Sequence, residues 1–483
     1  MAAPPITTSL QRYPASVRTS RIGRGGQNPA FFPLVFLLLL ASSNILLINQ
    51  RVAIQSGGQN IIGLRDVAFL LLLVLGMPSA KKLAELMRLG AIKICLTVVG
   101  LAVFGAVYAF VQERQPAQIA DELIPLMAWF LPVIIAANLK TLPSIERCHR
   151  ALVVLGVIVS VLSLAEAILK VPLVTGATTE KTLSEIGNLG ARSTPSCWPL
   201  MMIAFGSLIV ELSCRRWNSV TSMLSRAIPL SVVALASFMT QSRTLLVGMV
   251  VCLLGAMVAA RTRRIRILFL CVCFGIPLMV TVTAQIGGSL LGRGFEDYYT
   301  KRYAVLFGID SVSEYAPTDG RSVEIRQAVE RWPEWLWIGK GLASTYRDVM
   351  YTDEKSGDAQ IAHNIVLYFG TRFGVIGIAV FLLFCAAAWS LFYRALHSPR
   401  PYNTVALCLG VDLAALVVTA MFGNVFAMTY MAPVAMTAFG CLVAWTVWSA
   451  QFRTAPRPAG TSPFRAFDRN PDQDRGREVG RPA

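Results

Sequence analysis

The sequence predicts an all-α polytopic membrane protein of about twelve transmembrane helices, with one long, partly helical loop outside the membrane between spans nine and ten. Three observations lead there. Of the 483 residues 55% are hydrophobic and only 15% charged, whereas a soluble domain has about 25% charged residues. The apolar residues fall in separate runs of about 20, the length that crosses a bilayer as a helix. Lysine and arginine also alternate between successive loops, as the positive-inside rule requires. A transmembrane barrel would alternate apolar and polar positions over about 10 residues, and these runs do not.

The spans read as roughly 30–48, 61–78, 91–112, 122–139, 151–170, 195–213, 227–241, 243–260, 266–286, 364–394, 402–423 and 426–449. With the N-terminus inside, the inside loops carry Lys81, Lys82 and Arg88, then Lys140, Arg147 and Arg150, then Arg215, Arg216 and Arg226. The next holds Arg261, Arg263, Arg264 and Arg266, and the last Arg394 and Arg400. The outside loops are poorer in basic residues, and one misplaced span would reverse every later loop. Residues 1–28, with Arg12, Arg18, Arg21 and Arg24, are too polar for a cleaved signal peptide and read as a cytoplasmic disordered tail. Residues 29–286 then hold spans one to nine, 287–362 the outer loop, and 363–450 spans ten to twelve. Residues 451–483 are rich in Pro, Arg and Asp and form a second cytoplasmic disordered tail.

The net charge of +17 would suggest nucleic acid in a soluble protein, but here the excess sits in loops and tails and sets orientation. None of the ten cysteines falls in the outer loop, so no disulfide framework is expected there, and all ten read as packing residues.

The loop 287–362 has 9 basic and 12 acidic residues, so it is mildly acidic in a basic protein. It contains an amphipathic helix: Asp319 as N-cap, then RSVEIRQAVERW, stopped by Pro333, with Ile325, Val329 and Trp332 on one face. His149 and His397 fall in inside loops, which leaves His363 as the one outer histidine. It opens span ten in AHNIVLYFGTRFG, and helical spacing puts it on one face with Gly370, Gly374 and Gly377. Glycines so placed predict a close helix–helix approach with His363 at its mouth. Four arginines lie on the same side: Arg192, Arg243, Arg321 and Arg372. Guanidinium forks match phosphate oxygens, although each of the four also fits a structural role as a snorkelling anchor or ion-pair partner. Asp412 lies at mid-span, too deep for a site at the rim, and is expected to be a neutral acid hydrogen-bonded to a neighbour.

Several catalytic signatures are absent: a P-loop, a GxGxxG after a strand, HExxH, and any Ser-His-Asp spacing. The outer loop has no acid-x-acid pair to hold a divalent ion for a sugar nucleotide; Asp472 and Asp474 have that spacing but lie in the inside tail. No metal site and no cofactor are expected.

SRTLLVGMVVCLLGAM, then GRSVEIRQAVERWPEWLWIGKG in a long outer loop, then AHNIVLYFGTRFGVIG resembles the O-antigen ligase and O-antigen polymerase superfamily. The pattern is Ser-Arg opening a span, an arginine in the loop, a Trp-Pro turn with Gly-x-Gly, and His-Asn before a glycine-spaced helix. It covers about residues 190–395; the first five spans match only in hydropathy. The resemblance implies a glycosyltransferase of the bacterial inner membrane, acting on the periplasmic side. It implies a glycan donor on undecaprenyl pyrophosphate, no nucleotide sugar and no metal. The acceptor would be lipid A–core for a ligase, or a second carrier-linked glycan for an O-antigen or exopolysaccharide polymerase. By the same resemblance Arg243, Arg321 and, less securely matched, Arg192 would bind pyrophosphate and His363 would be catalytic, with Ser242, Asn364 and Arg372 in support. The second histidine that some ligases carry near this motif is absent from the outer loop.

The chemistry fits these residue types. Displacing pyrophosphate from an anomeric carbon builds charge on phosphate oxygens, which fixed arginines stabilise. In-line attack inverts that carbon, and a neutral imidazole takes the acceptor's proton. Neighbouring arginines and desolvation both favour the neutral form. A polysaccharide or lipid transporter is the competing class. It would show two similar six-span halves joined by a central inside connection, whereas here the longest loop follows span nine on the outside.

Overall fold

The computed structural model describes residues 30–43, 45, 54–56, 59–169, 173–174, 197–214, 219–240, 242–260, 285, 320–344, 364–398 and 403–454. Nearly all of expected span nine, residues 1–28, residues 455–483 and most of the outer loop lie outside these residues, and the last helix runs four residues into the expected C-terminal tail, to Thr454. The described chain is helical apart from a short antiparallel hairpin, β1 (Ile54–Ser56) and β2 (Gln59–Ile62).

The helices occupy the other expected spans in order. They are α1 (Phe31–Ser42), α2 (Leu64–Gly76), α3 (Ala80–Leu86), α4 (Gly90–Val111), α5 (Pro116–Met127) and α6 (Leu131–Asn138). Next come α7 (Leu142–Leu169), α8 (Trp198–Cys214), α9 (Val220–Met239) and α10 (Arg243–Ala260). In the loop lie α11 (Gly320–Glu330) and α12 (Trp332–Trp335), followed by α13 (Ile365–Leu396), α14 (Thr404–Thr419) and α15 (Ala432–Thr454). Among the described residues, six segments are long and apolar enough to cross a membrane: Gly90–Val111, Pro116–Asn138, Leu142–Glu166, Val220–Met239, Ile365–Leu396 and Ala432–Ala450. The pair α2–α3, bent by 100°, would make a seventh. With these spans the chain is a multi-pass membrane protein.

The shorter apolar helices α8 and α14 form the bundle centre, where α8 packs against α7, α9, α10 and α14. Every residue from Trp198 to Val210 is buried, so α8 is apolar all round, as a helix with protein on every side must be. Small residues set its spacing. A β-carbon at Gly156 on α7 would stand 2.1 Å from the Leu200 carbonyl oxygen, an approach that only glycine permits. The long helix α4 turns Phe104, Val107, Phe110 and Val111 outward, as a lipid-facing helix does. An aromatic cluster joins the layers: Trp129, between α5 and α6, meets Phe384 at 4.8 Å and Phe369 at 5.8 Å, centroid to centroid.

The expected place of His149 is corrected. It does not lie in an inside loop but within α7, 4% exposed. The helix begins nine residues before expected span five, through LPSIERCHR, because Thr141 and Ser144 bond each other at its start. Charged residues lower hydropathy without breaking a helix, so a hydropathy window places that start too late. His149 Nε2 lies 2.8 Å from Ser207 Oγ, and Ser207 donates to Asp412 Oδ2 at 2.7 Å. Asp412 is fully buried, and its hydrogen bond to a neighbour matches the sequence expectation. Asp412→Asn, which keeps an acceptor for Ser207, is expected to unfold near the wild-type temperature. Asp412→Leu takes the acceptor from the buried Ser207 hydroxyl and should lose about 1–3 kcal/mol, read as a lower melting temperature in detergent.

Candidate functional site

The site is built around a break in α13. Gly374 has φ 66° and ψ −155°, which ends one arm at residue 373 and starts a second at 375. The second arm starts back against the first: a β-carbon at Gly377 would stand 2.4 Å from the Phe369 carbonyl oxygen. The break exposes the carbonyls of Thr371 and Arg372, and a loop segment takes them. Lys340 N–H donates to Thr371 O at 2.7 Å and Gly341 N–H to Arg372 O at 3.0 Å. In return Val375 N–H donates to Leu336 O at 2.5 Å. Gly339 and Gly341 have φ of 79° and 77°, a region that costs a side chain strain. The sequence Gly-Lys-Gly therefore gives the loop the turn that replaces the missing helical bonds.

The glycine face is accordingly not a helix–helix contact, as the spacing predicted. Gly370 lies under the Trp335 ring and Gly374 under the Trp337 carbonyl, so the partner is the loop. Gly377 does not continue their face, because the helix is broken between them. The loop helix also ends earlier than expected, at Glu330, and Pro333 lies in the first turn of α12, where its missing N–H costs nothing.

Arg372, on the last turn before the break, ties the loop to α5. Its Nε and Nη2 donate to Glu122 Oε2 and Oε1 at 2.8 and 2.6 Å, a two-pronged pair. Its Nη1 donates to the Ser344 carbonyl at 2.7 Å and also to the Ser344 hydroxyl. Glu122 accepts a further bond from Ala343 N–H at 3.1 Å. Arg372 is 1% and Glu122 3% exposed. The arginine also lies 5.5 Å from the centroid of the Tyr368 ring. From the α4–α5 connection, Arg114 donates to Leu342 O at 2.5 Å. Burial pushes the Arg114 guanidinium below its usual range, as does the Arg372 cation, while Glu122 acts in the opposite sense.

The other end of the first arm rests on the turn between α14 and α15. Asn364 caps the arm, accepting from Val366 N–H at 2.9 Å and Leu367 N–H at 3.2 Å. Its amide donates to Met421 O at 3.2 Å, and Ile365 N–H donates to Ala420 O at 3.1 Å. The same turn meets three more helix starts. Gly423 approaches Thr244 and Trp198, since a β-carbon there would stand 3.6 and 3.7 Å from their side chains. Cys197 Sγ lies 3.6 Å from Tyr430 O, and the Arg65 guanidinium lies 5.1 Å from the Tyr430 ring centroid. Arg65 in turn pairs with Asp66, which caps α2. Every one of these contacts joins helix ends that the charge pattern assigns to the outside.

The sequence-predicted residues fall as follows. Ser242 is buried, and its Oγ accepts from Leu245 N–H at 3.4 Å in the first turn of α10. Arg243 is the first residue of α10 and Arg321 the second of α11; both side chains lie outside the described residues. His363 and Arg192 lie outside them altogether, as does the predicted N-cap Asp319. The turn at 420–423 brings together the start of α10, which follows Ser242, and the start of α13, which Asn364 caps. Arg372 is engaged with Glu122 and Ser344, which makes it a fastening for the loop. Glu122 was missed. Its signal was an acid at the mouth of span four, on the same side as an arginine inside span ten.

Residues 228–382 match the O-antigen ligase family. The matched stretch holds α10, α11, α12, the whole break in α13 and the Ser242, Arg243, Arg321, His363, Asn364 and Arg372 positions. No curated protein matches the chain.

Proposed function

We propose, from the match of residues 228–382 to the O-antigen ligase family, that the chain is of the O-antigen ligase type and transfers a glycan from undecaprenyl pyrophosphate to an acceptor hydroxyl at the periplasmic face of the bacterial inner membrane. The observation that supports this reading is the meeting of the starts of α10 and α13, both inside the stretch that matches the family, on the turn at 420–423. Arg243, Arg321 and Arg192 hold the pyrophosphate. The acceptor oxygen attacks the anomeric carbon, and the bond from that carbon to the phosphate oxygen breaks with inversion. The electron pair leaves on the pyrophosphate, whose charge the arginines stabilise. The acceptor's proton goes to His363. No group in this scheme requires a metal or nucleotide sugar. Twelve spans, with both termini inside and 287–362 outside, complete the reading.

Lipid A–core is the acceptor we favour, with a polymerase acting on a second carrier-linked glycan as the alternative. Deletion of the gene separates them: loss of all capped lipopolysaccharide marks a ligase, and loss of long chains alone a polymerase. Removing the Arg243 or Arg321 side chain should lower the transfer rate by about 10²–10³, as loss of a preorganised oxyanion donor does. Lysine should restore little, because it makes no two-pronged contact. Transfer at the wild-type rate by Arg321→Ala, at equal protein level, would remove that residue from the site.

A further inference from the structure

We propose that the loop segment 325–338 lies on the bilayer surface, with Ile325, Val329, Trp332, Trp337 and Ile338 set into the lipid interface. Trp337 is 73% and Ile338 70% exposed, and Ile325, Val329 and Trp332 between 44 and 52%. In the same segment Ala328 and Trp335 are buried, and Trp335 Nε1 donates to the Ala328 carbonyl at 2.9 Å. The exposed apolar residues are therefore not the packing face of the segment. They form a second apolar face pointing away from the bundle. Polar residues take the remaining side of α11, where Arg326 pairs with Glu330 at 2.9 Å.

The break in α13 fixes the depth of this face. The second arm, 375–396, is about 33 Å long at 1.5 Å per residue, close to the roughly 30 Å hydrocarbon layer. An arm that fills the layer begins at its rim, and the loop is bonded to that beginning: Val375 N–H to Leu336 O, and Gly374 against Trp337 O. The exposed apolar residues of the segment then continue a band that faces lipid below it. Val375 and Ile376 open that band on α13, and Phe110 and Val111 carry it on α4. Gly341 lies against the Tyr108 ring of α4, which places the segment beside that helix. Tryptophan at this depth with charge on the opposite side is the pattern of an interfacial helix. Of the occupants such a face could take, the bilayer is the one continuous with it. The inference rests on the membrane reading of the helices and not on the proposed reaction.

The test uses the full chain in a cysteine-free background, reconstituted in nanodiscs. A single cysteine at position 337, 338 or 326 carries an environment-sensitive fluorophore. At 337 and 338 the expected result is blue-shifted emission, lost when the lipid carries a nitroxide near the headgroup and little affected by aqueous iodide. At 326 iodide should quench and lipid nitroxide should not. Iodide quenching at 337 and 338 equal to that at 326 would overturn the proposal, since the face would then stand in water. Resistance to both quenchers would also overturn it, since protein, such as a second copy of the chain, would then cover the face. Loss of glycan transfer has no part in this readout, so failure here and failure of the proposed reaction are distinguishable.

Discussion

Replacement of His363 by alanine is expected to lower the transfer rate by about 10²–10⁴ while leaving carrier affinity nearly unchanged, the signature of a lost general base. The position motivates this. His363 is the residue before Asn364, whose side chain caps the first arm of α13 and holds it to the turn that also meets the start of α10. Only a neutral imidazole accepts a proton, and its reference pKa is about 6.5. The wild-type rate should therefore fall as the pH drops through the histidine titration, and the alanine variant should lack that acid limb. Rate against pH, with donor affinity measured alongside, decides the matter. A collapse of affinity with the acid limb retained would make His363 a phosphate ligand and pass the proton to another group.

The second large effect is expected at the pair that fastens the loop. Glu122→Ala removes the two-pronged carboxylate contact from the buried Arg372 guanidinium. Arg372→Ala leaves the buried Glu122 carboxylate bonded to Ala343 N–H but without the guanidinium that it pairs with. Breaking a buried pair from one side costs about 3–5 kcal/mol, a large part of the roughly 5–15 kcal/mol that holds a typical protein folded. Either change should lower the melting temperature in detergent and release the loop from α13, with glycan transfer lost as well. Replacing both partners with apolar residues, Glu122→Leu with Arg372→Met, should cost much less than the two single changes together. Melting temperatures of the four proteins give the coupling. Two small, additive effects would mean that the pair does not hold the loop.

Much of the architecture was legible because it follows from local sequence. Runs of apolar residues at membrane-spanning length gave the helices. The helix starts that carry Ser242 and Asn364 were legible for the same reason, as short polar motifs at the mouths of apolar runs. What was not legible depends on partners far away in sequence. Gly374 reads as one more glycine in a helix until the Gly339–Gly341 turn, more than thirty residues before it, is seen to take the freed carbonyls. Glu122 reads as the edge of a span until Arg372 is placed against it, 250 residues later. His149 reads as a loop residue because hydropathy averages over the charges around it, whereas helix formation is decided by caps and backbone bonds. For Gly374 and Glu122 the missing term was a tertiary contact, and for His149 it was the local cap at the start of α7.

The central claim is that glycan leaves a lipid pyrophosphate on this protein. The most direct measurement is reconstitution of the purified chain in liposomes with undecaprenyl-pyrophosphate-linked glycan and an acceptor, without nucleotide sugar. The account predicts glycan on the acceptor and free undecaprenyl pyrophosphate in equal amounts, and the loss of both with Arg321→Ala. Glycan that stays on its carrier and only changes leaflet would contradict it, and would make the protein a transporter.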